Sequence, residues 1–516
     1  MKKIKIIVLS TIILVNIILN VQAFTFPEVS DRNNNFYNKT IFENGISTIV
    51  WVKTFGGRGR DNCWSLTKTD DEGFILLGET TSFDYGGGDA WLVKLDSDGN
   101  EQWNKSYGGK RADYGFDIIQ NNDGGYAIAG GTKTYSIGDH DTWLLKIDYL
   151  GNEIWNKSFG GEMRDQGYAL LKSSDDGFVI CGGSGSFTPG PNDYWVIKTD
   201  DAGNEIWNKT YGNEGYDWGY DIIETLEGEY IYTGGTDTSI DHNHILDIGL
   251  ISLNKDGEII WDTSFNKPPA KNRWDEGYSI IETEDKGFLV GGIAHTYHWF
   301  EDGEGDGWII KTDENGKKIW DRIYGGSLCD GISTVKQTKD GGYICSGWTY
   351  SYGNGDSDIW VLKLDKQGYV EWDLTIGDDD YEWSMLHTLE ITEDNCYLIA
   401  GTTESYGAGS SDMFLAKIQD PSIEIDFKGG LGYKFEIKNN GNEELKNISW
   451  NINISNSVFL GRSSQGMISS LSKDEIVLIK NQNFIIGFGE GNIRFSIGDL
   501  GKTVHCLIIG PFVILK

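Results

Sequence analysis

Proline is scarce in this chain, 7 in 516 residues, and so are methionine (5), cysteine (6) and histidine (7). Few prolines leave long stretches free to form hydrogen-bonded elements without breaks. Six Cys in a chain of this length make no disulfide framework of the kind that staples small secreted domains. Cations are also short: 44 Lys and Arg face 78 Asp and Glu, a net charge of -34. Loss of a leader holding Lys2, Lys3 and Lys5 and no acid lowers this by three, to -37. Such a charge excludes nucleic acid and anionic lipid as partners and favours cations, neutral glycans or proteins. Past the N-terminus no apolar run is long enough to span a bilayer; Leu507 to Leu515 is too short and is broken by Gly510 and Pro511. No catalytic signature occurs at a known spacing.

What is abundant is glycine (69) and aromatic residues (13%), a composition suited to many short strands joined by tight turns. The N-terminus, MKKIKIIVLSTIILVNIILNVQA, has a basic start, an apolar run and a small-residue cleavage site, so residues 1–23 read as a signal peptide. Membrane attachment enters only through the alternative, an uncleaved anchor. No Cys follows the leader to take a lipid. The mature chain is expected to be secreted or held at the cell surface. Residues 24–45 form a polar, Asn-rich linker.

One unit then repeats. DTWLLKIDYLGNEIWNKSFGG, Asp141 to Gly161, has near-copies along most of the chain, and its last Trp recurs at Trp51, Trp103, Trp155, Trp207, Trp261, Trp320 and Trp372. The intervals are 52, 52, 52, 54, 59 and 52 residues, a period expected of propeller blades of four strands. In the second unit YGFDIIQ, GGYAIAGG, DTWLLKID and EIWNKSF are strands A to D, with Asp123-Gly124-Gly125 and Leu150-Gly151-Asn152 as turns. The last set, SMLHTLEI, CYLIAGTT and DMFLAKI, lacks strand D, and the N-terminal ISTIVWVKTF supplies it. The reading is an all-β, seven-bladed propeller over residues 46–420, closed by an N-terminal strand that leaves no open edge. Cys181 and Cys345 share a repeat position three blades apart, and Cys63, Cys329, Cys396 and Cys506 lack evident partners, so the cysteines read as small buried side chains.

From Pro421 a different alternation with Asn-Gly turns begins, and residues 421–516 read as a small β-sandwich. This segment resembles the Ig-like or CARDB-like tail domains of exported prokaryotic proteins. The repeats resemble the kelch, PQQ-like and delta-60-like propellers of secreted prokaryotic proteins over Ile46 to about Asp420. That resemblance implies fold and leaves function open. Departures argue against a quinone enzyme: the Asp148, Gly151 and Trp155 spacing is one residue short of the PQQ docking motif, and no vicinal Cys pair is present. Truncation after Asp420 is expected to leave the propeller folded.

Two acidic positions recur. Asp61, Asp113, Asp165, Asp217, Asp275, Asp330 and Glu382 lie in the DA connection, and Asp89, Asp141, Asp193, Asp247, Asp306, Asp358 and Asp412 open strand C. Both sets fall towards one face, as a crown for calcium or another divalent cation would require. An Asp accepting backbone N–H bonds in every turn explains the repetition equally without an ion. Trp91, Trp143, Trp195, Trp308, Trp360 and Phe414 of strand C read as packing between blades, and Gly249 should leave a gap or a substitute in blade four.

Departures from the repeat point to blades four and five, whose loops on that face are longer and unusual in composition. His242, His244, Trp274, His295, Tyr297, His298, Trp299 and Asp302 form a candidate ligand site there, with Asp241, His242, His244, His295, His298 and Glu304 as a candidate metal set. Solvated loop tips without a ligand are the competing reading. The regular BC loop of blade six, Tyr350 to Tyr352, is expected to contribute little. Glycosylation sequons occur at Asn38, Asn104, Asn156, Asn208, Asn447 and Asn453. The function expected is non-enzymatic binding of a glycan, protein or cell-surface component by the loop face. The alternatives are a polysaccharide hydrolase or lyase sited in the blade four and five loops, and a structural envelope component.

Overall fold

The computed structural model describes residues 48–515, apart from 84–85, 189, 239–245, 267–273, 297–304, 429, 432–433, 441–443, 456–457, 461–462, 481–485, 498–499 and 511. The described residues hold only strands and turns, with no helix. The leader, the linker and Asn38 lie outside them, as do Asp241, His242, His244, Tyr297, His298, Trp299, Asp302 and Glu304.

Four-stranded antiparallel sheets follow one another in chain order. The first runs Asp61–Lys68, Phe74–Thr80, Asp89–Leu95 and Glu101–Tyr107; the second runs Asp113–Gln120, Tyr126–Thr132, Asp141–Ile147 and Glu153–Phe159. Strands B and C are buried along almost their whole length, whereas strand D is half-buried, with exposed residues at its start. Each strand A lies against the strand A of the next sheet, as Asp61–Lys68 does against Asp113–Gln120. Strands stacked in radiating sheets around their innermost members make the fold a repeat β-propeller. Ile49–Phe55 pairs antiparallel with Asp412–Ile418, the edge left by the last three-stranded set.

The repeated Trp of strand D has a mechanical reason. At the CD turn of the following blade a glycine with positive φ presents bare backbone: Gly151, φ 74°, has the Trp103 ring 3.1 Å from where its Cβ would stand. Any side chain there would displace the ring and strain the turn. After strand C of the last set Pro421 replaces this turn, and Trp372 instead donates its Nε1 to Asp420 Oδ1 at 3.1 Å. The strand C Trp residues and Phe414 are buried between sheets. Trp91 and Trp195 donate to Asn104 and Asn208 at 3.3 and 3.2 Å, which explains the Asn of WNK without glycosylation. In blade four the gap at Gly249 is taken by Tyr194, whose hydroxyl lies 2.5 Å from the missing Cβ position. All six cysteines are free and buried.

The tail does not stand apart from the repeats. Ile423–Lys428, Lys434–Asn439 and Ile476–Lys480 form one sheet, while Leu445–Ser455, Ser463–Leu471, Ile486–Ile497 and Leu500–Gly510 join another. Leu500–Gly510 pairs with the outer strand of blade six, Val370–Ile376, at Asp373↔Gly501 and Leu374↔Leu500. One apolar core runs from Trp372 and Leu374 into Phe435, Trp450 and Phe495. Arg494 forms an ion pair with the buried Asp373, and its guanidinium lies 4.1 Å from the Tyr352 ring centroid. The tail thus covers the edge and apolar face of blade six, which bears directly on the expectation that the propeller stays folded after truncation at Asp420.

Candidate functional site: an axial aromatic funnel

The inner strands of the first six blades share one break in their pairing with strand B. The register skips Trp64, Phe116, Tyr168, Tyr220, Tyr278 and Ser333 in six successive blades. A β-bulge leaves that residue out of the ladder and re-aims its side chain, here towards the axis. The bulged rings touch from blade to blade: Trp64 to Phe116 at 5.2 Å between centroids, Phe116 to Tyr168 at 5.0 Å, Tyr168 to Tyr220 at 5.6 Å and Tyr220 to Tyr278 at 5.1 Å.

Of this arc Trp64, Tyr168, Tyr220 and Tyr278, with Ser333 beyond them, wall a cavity of about 700 Å³. Further lining comes from the start of the inner strands (Trp218, Trp274, Glu276, Trp383) and from the DA and BC connections (Arg164, Tyr216, Tyr350, Ser357, Tyr381), so it opens on the face those loops share. Carbon dominates the walls, and Glu276 is the one acid among the described lining residues. Its carboxylate accepts the hydroxyls of Tyr278 at 2.7 Å and Tyr220 at 3.2 Å. Burial pushes its carboxyl above the usual range and the two phenols pull it back. The same burial, with the Glu276 charge beside them, holds both tyrosine hydroxyls well above their ordinary value.

One residue further along the inner strands the chemistry turns polar. Asp117 accepts Leu170 N–H at 2.8 Å and Ser65 Oγ–H at 3.0 Å, and Asp221 accepts Ile280 N–H at 2.8 Å. These buried carboxylates thus satisfy amides on the innermost strands of the neighbouring blades. In the last blade strand A is split into Glu382–Trp383 and Leu389–Ile391, and His387 between them has φ 54°. Its imidazole reaches 4.0 Å from both Asp117 and Asp221. Burial raises both carboxyls, and the imidazole opposes that rise.

The recurring acids of the DA connection are turn formers. Gly57, Gly109, Gly161 and Gly326 donate N–H to Asp61, Asp113, Asp165 and Asp330 at 2.7 to 2.9 Å. Ser82, Thr134, Ser186 and Ser351 hydroxyls tie the same carboxylates to the BC loop. The strand C acids accept loop amides, as Asp141 does from Ile137 and Asp412 from Ala408. Among the described residues no three His, Cys, Asp or Glu side chains are grouped to hold a metal.

Of the ligand site expected from sequence, Trp274 lines the funnel. His295 lies in the strand Phe288–Thr296, and the other members fall outside the described residues. Tyr350 of blade six, expected to contribute little, lines the funnel. Sequence reasoning missed Glu276, His387 and the bulge aromatics. A signal was present for the last: Trp64, Phe116, Tyr168 and Tyr220 recur at the repeat interval. Asn104, Asn208, Asn447 and Asn453 are exposed and Asn156 is half-buried.

No family model matches the chain and no curated protein matches it. Solved structures similar to it include the WD40 domain of Neurospora crassa Pan2, at TM-score 0.43 and 7% identity over 70% of this chain and 92% of that one. PorZ, a surface component of the Porphyromonas gingivalis type-IX secretion system, gives 0.42 and 9% over 90% and 60%. The β-propeller domain of the Pyrococcus furiosus Trilobed protease gives 0.38 and 10% over 72% and 96%. Likeness at this level concerns the fold alone.

Proposed function

We propose that this is an exported, non-enzymatic binding protein: a seven-bladed propeller closed by its N-terminal strand, with an Ig-like or CARDB-like tail as spacer, that takes part of a glycan, protein or cell-surface component into the axial funnel. The aromatic cavity carries the reading, because flat apolar walls with few polar groups are the common form of a ligand site. The alternative of a polysaccharide hydrolase or lyase calls for two carboxyl groups flanking one bond. Glu276 stands in the funnel without a second acid among the described residues, so binding is the better-supported function.

The test is a glycan and surface-protein array probed with the mature chain, repeated with Trp218→Ala and Trp274→Ala together. Binding should fall at least tenfold while melting temperature changes little. Hits that keep full affinity in the variant would place binding elsewhere.

A further inference from the structure

Glu276 differs from every other acid in the repeats. Its equivalents in the other blades are Asn62, Tyr114, Gln166, Trp218, Gly331 and Trp383, so the blade itself does not require a carboxylate there. The strand that carries it is also unusual. Besides the common bulge at Tyr278, its register shifts a second time between Trp274 and Glu276, and both side chains line the funnel.

A buried carboxylate is expensive without a counter-charge. Two phenol hydroxyls occupy part of its capacity of about four acceptor sites. No Lys, Arg or His forms an ion pair with it among the described residues. Among the described lining residues Arg164 is the one cation, and it is exposed. Around the carboxylate are the rings of Tyr220 and Tyr278, with Trp348 5.9 Å from Tyr278 between centroids. Aromatic faces stabilise cations as well as apolar bodies. The strongly acidic surface raises the local concentration of any cation.

Resting on the funnel as the binding site, we infer that its ligand is an organic ammonium ion on a flat or apolar body, entering head first so that the ammonium meets Glu276 among the tyrosine and tryptophan rings. An amino sugar and an arylalkylamine share that chemistry.

Isothermal titration of the mature chain with phenethylammonium and its neutral isostere 2-phenylethanol, and with glucosamine and N-acetylglucosamine, tests it. At least one amine should bind ten times more tightly than its neutral counterpart. Glu276→Gln should erase that preference, whereas Tyr278→Phe, which keeps the charge, should retain it; near-ultraviolet circular dichroism checks the fold of both. A preference confined to the glucosamine pair identifies an amino sugar, and one confined to phenethylammonium identifies an apolar amine. Equal affinity within both pairs, a preference that survives Glu276→Gln, or no amine binding at millimolar concentration would each overturn the inference. The funnel reading stands in those cases if array hits are still lost with Trp218→Ala and Trp274→Ala, and it falls separately if they are not.

Discussion

Nε2 of His387 lies 4.0 Å from Oδ2 of Asp117, although the two residues belong to the last and the second blades. Nδ1 of the same ring lies 4.0 Å from Oδ1 of Asp221 in the fourth blade. Three blades distant in sequence thus meet at the axis through one imidazole and two buried carboxylates. Replacing His387 with Ala should uncover those carboxylates to each other and cost on the order of 3 kcal/mol, the range for stripping a partner from a buried charge. Adding Asp117→Asn should recover part of the loss. Chemical denaturation of the two single variants and the double variant measures the coupling; strict additivity would show that the residues do not interact.

Stability should decline from mildly acidic to neutral pH. Burial, with Asp217 and Asp330 beside them, raises Asp193 and Asp306 to about 7; burial with Asp61 nearby raises Asp412 to about 6 despite two amide donors. These groups hold their protons more tightly folded than unfolded. Between their ordinary value of 3.8 and about 7 the native state therefore binds the extra protons, and stability falls as pH rises through that window. Asp340 works in the opposite sense: burial opposes the shift, but Lys363 and Thr338 hold it at about 2, so its contribution is lost as pH drops below 4 towards 2. Melting temperature should peak near pH 4 to 5 and be lower at pH 8. Asp193→Asn should flatten the decline, and an unchanged slope would remove Asp193 from the explanation.

Removal of residues 421–516 should destabilise the propeller. Trp372, Leu374 and Ile376 are buried, and uncovering each large apolar side chain costs on the order of 2 kcal/mol. The cut would also leave Asp373 without Arg494 and open a strand edge to other chains. The truncated chain should aggregate at temperatures the full chain tolerates, as light scattering during heating would show. Arg494→Ala should reproduce a part of the loss without aggregation.

Asp113→Ala should cost roughly 1 to 3 kcal/mol by stranding the Gly109 amide and the Thr134 hydroxyl. The cost should be the same with calcium or with EDTA. A wild-type melting temperature lowered by EDTA, with no such response in the variant, would instead identify Asp113 as part of a calcium site.

What could be read in advance was what every blade needs. The Trp103 and Gly151 contact, the Asp113 turn and the buried strand C recur because each unit fails without them, and recurrence is visible as spacing. The bulge aromatics Trp64, Phe116, Tyr168 and Tyr220 recur at the same spacing, but recurrence does not show that they leave the ladder, because one unpaired residue in every unit does not change the period. Glu276 and His387 were hidden for the opposite reason: each occurs once, and each acquires meaning only from side chains brought in by other blades. The seam between Val370–Ile376 and Leu500–Gly510 was equally silent, since backbone pairing at an edge requires no particular side chain.

The bulges divide labour within each strand. Trp64, Phe116, Tyr168, Tyr220, Tyr278 and Ser333 stand outside the ladder, so their identities are released from the demand for regular pairing that constrains their neighbours. Such positions are variables in an otherwise fixed formula. A chain of this kind could change its ligand by editing them one blade at a time while keeping its architecture, and a library randomised at those six sites would sample specificities on a single scaffold.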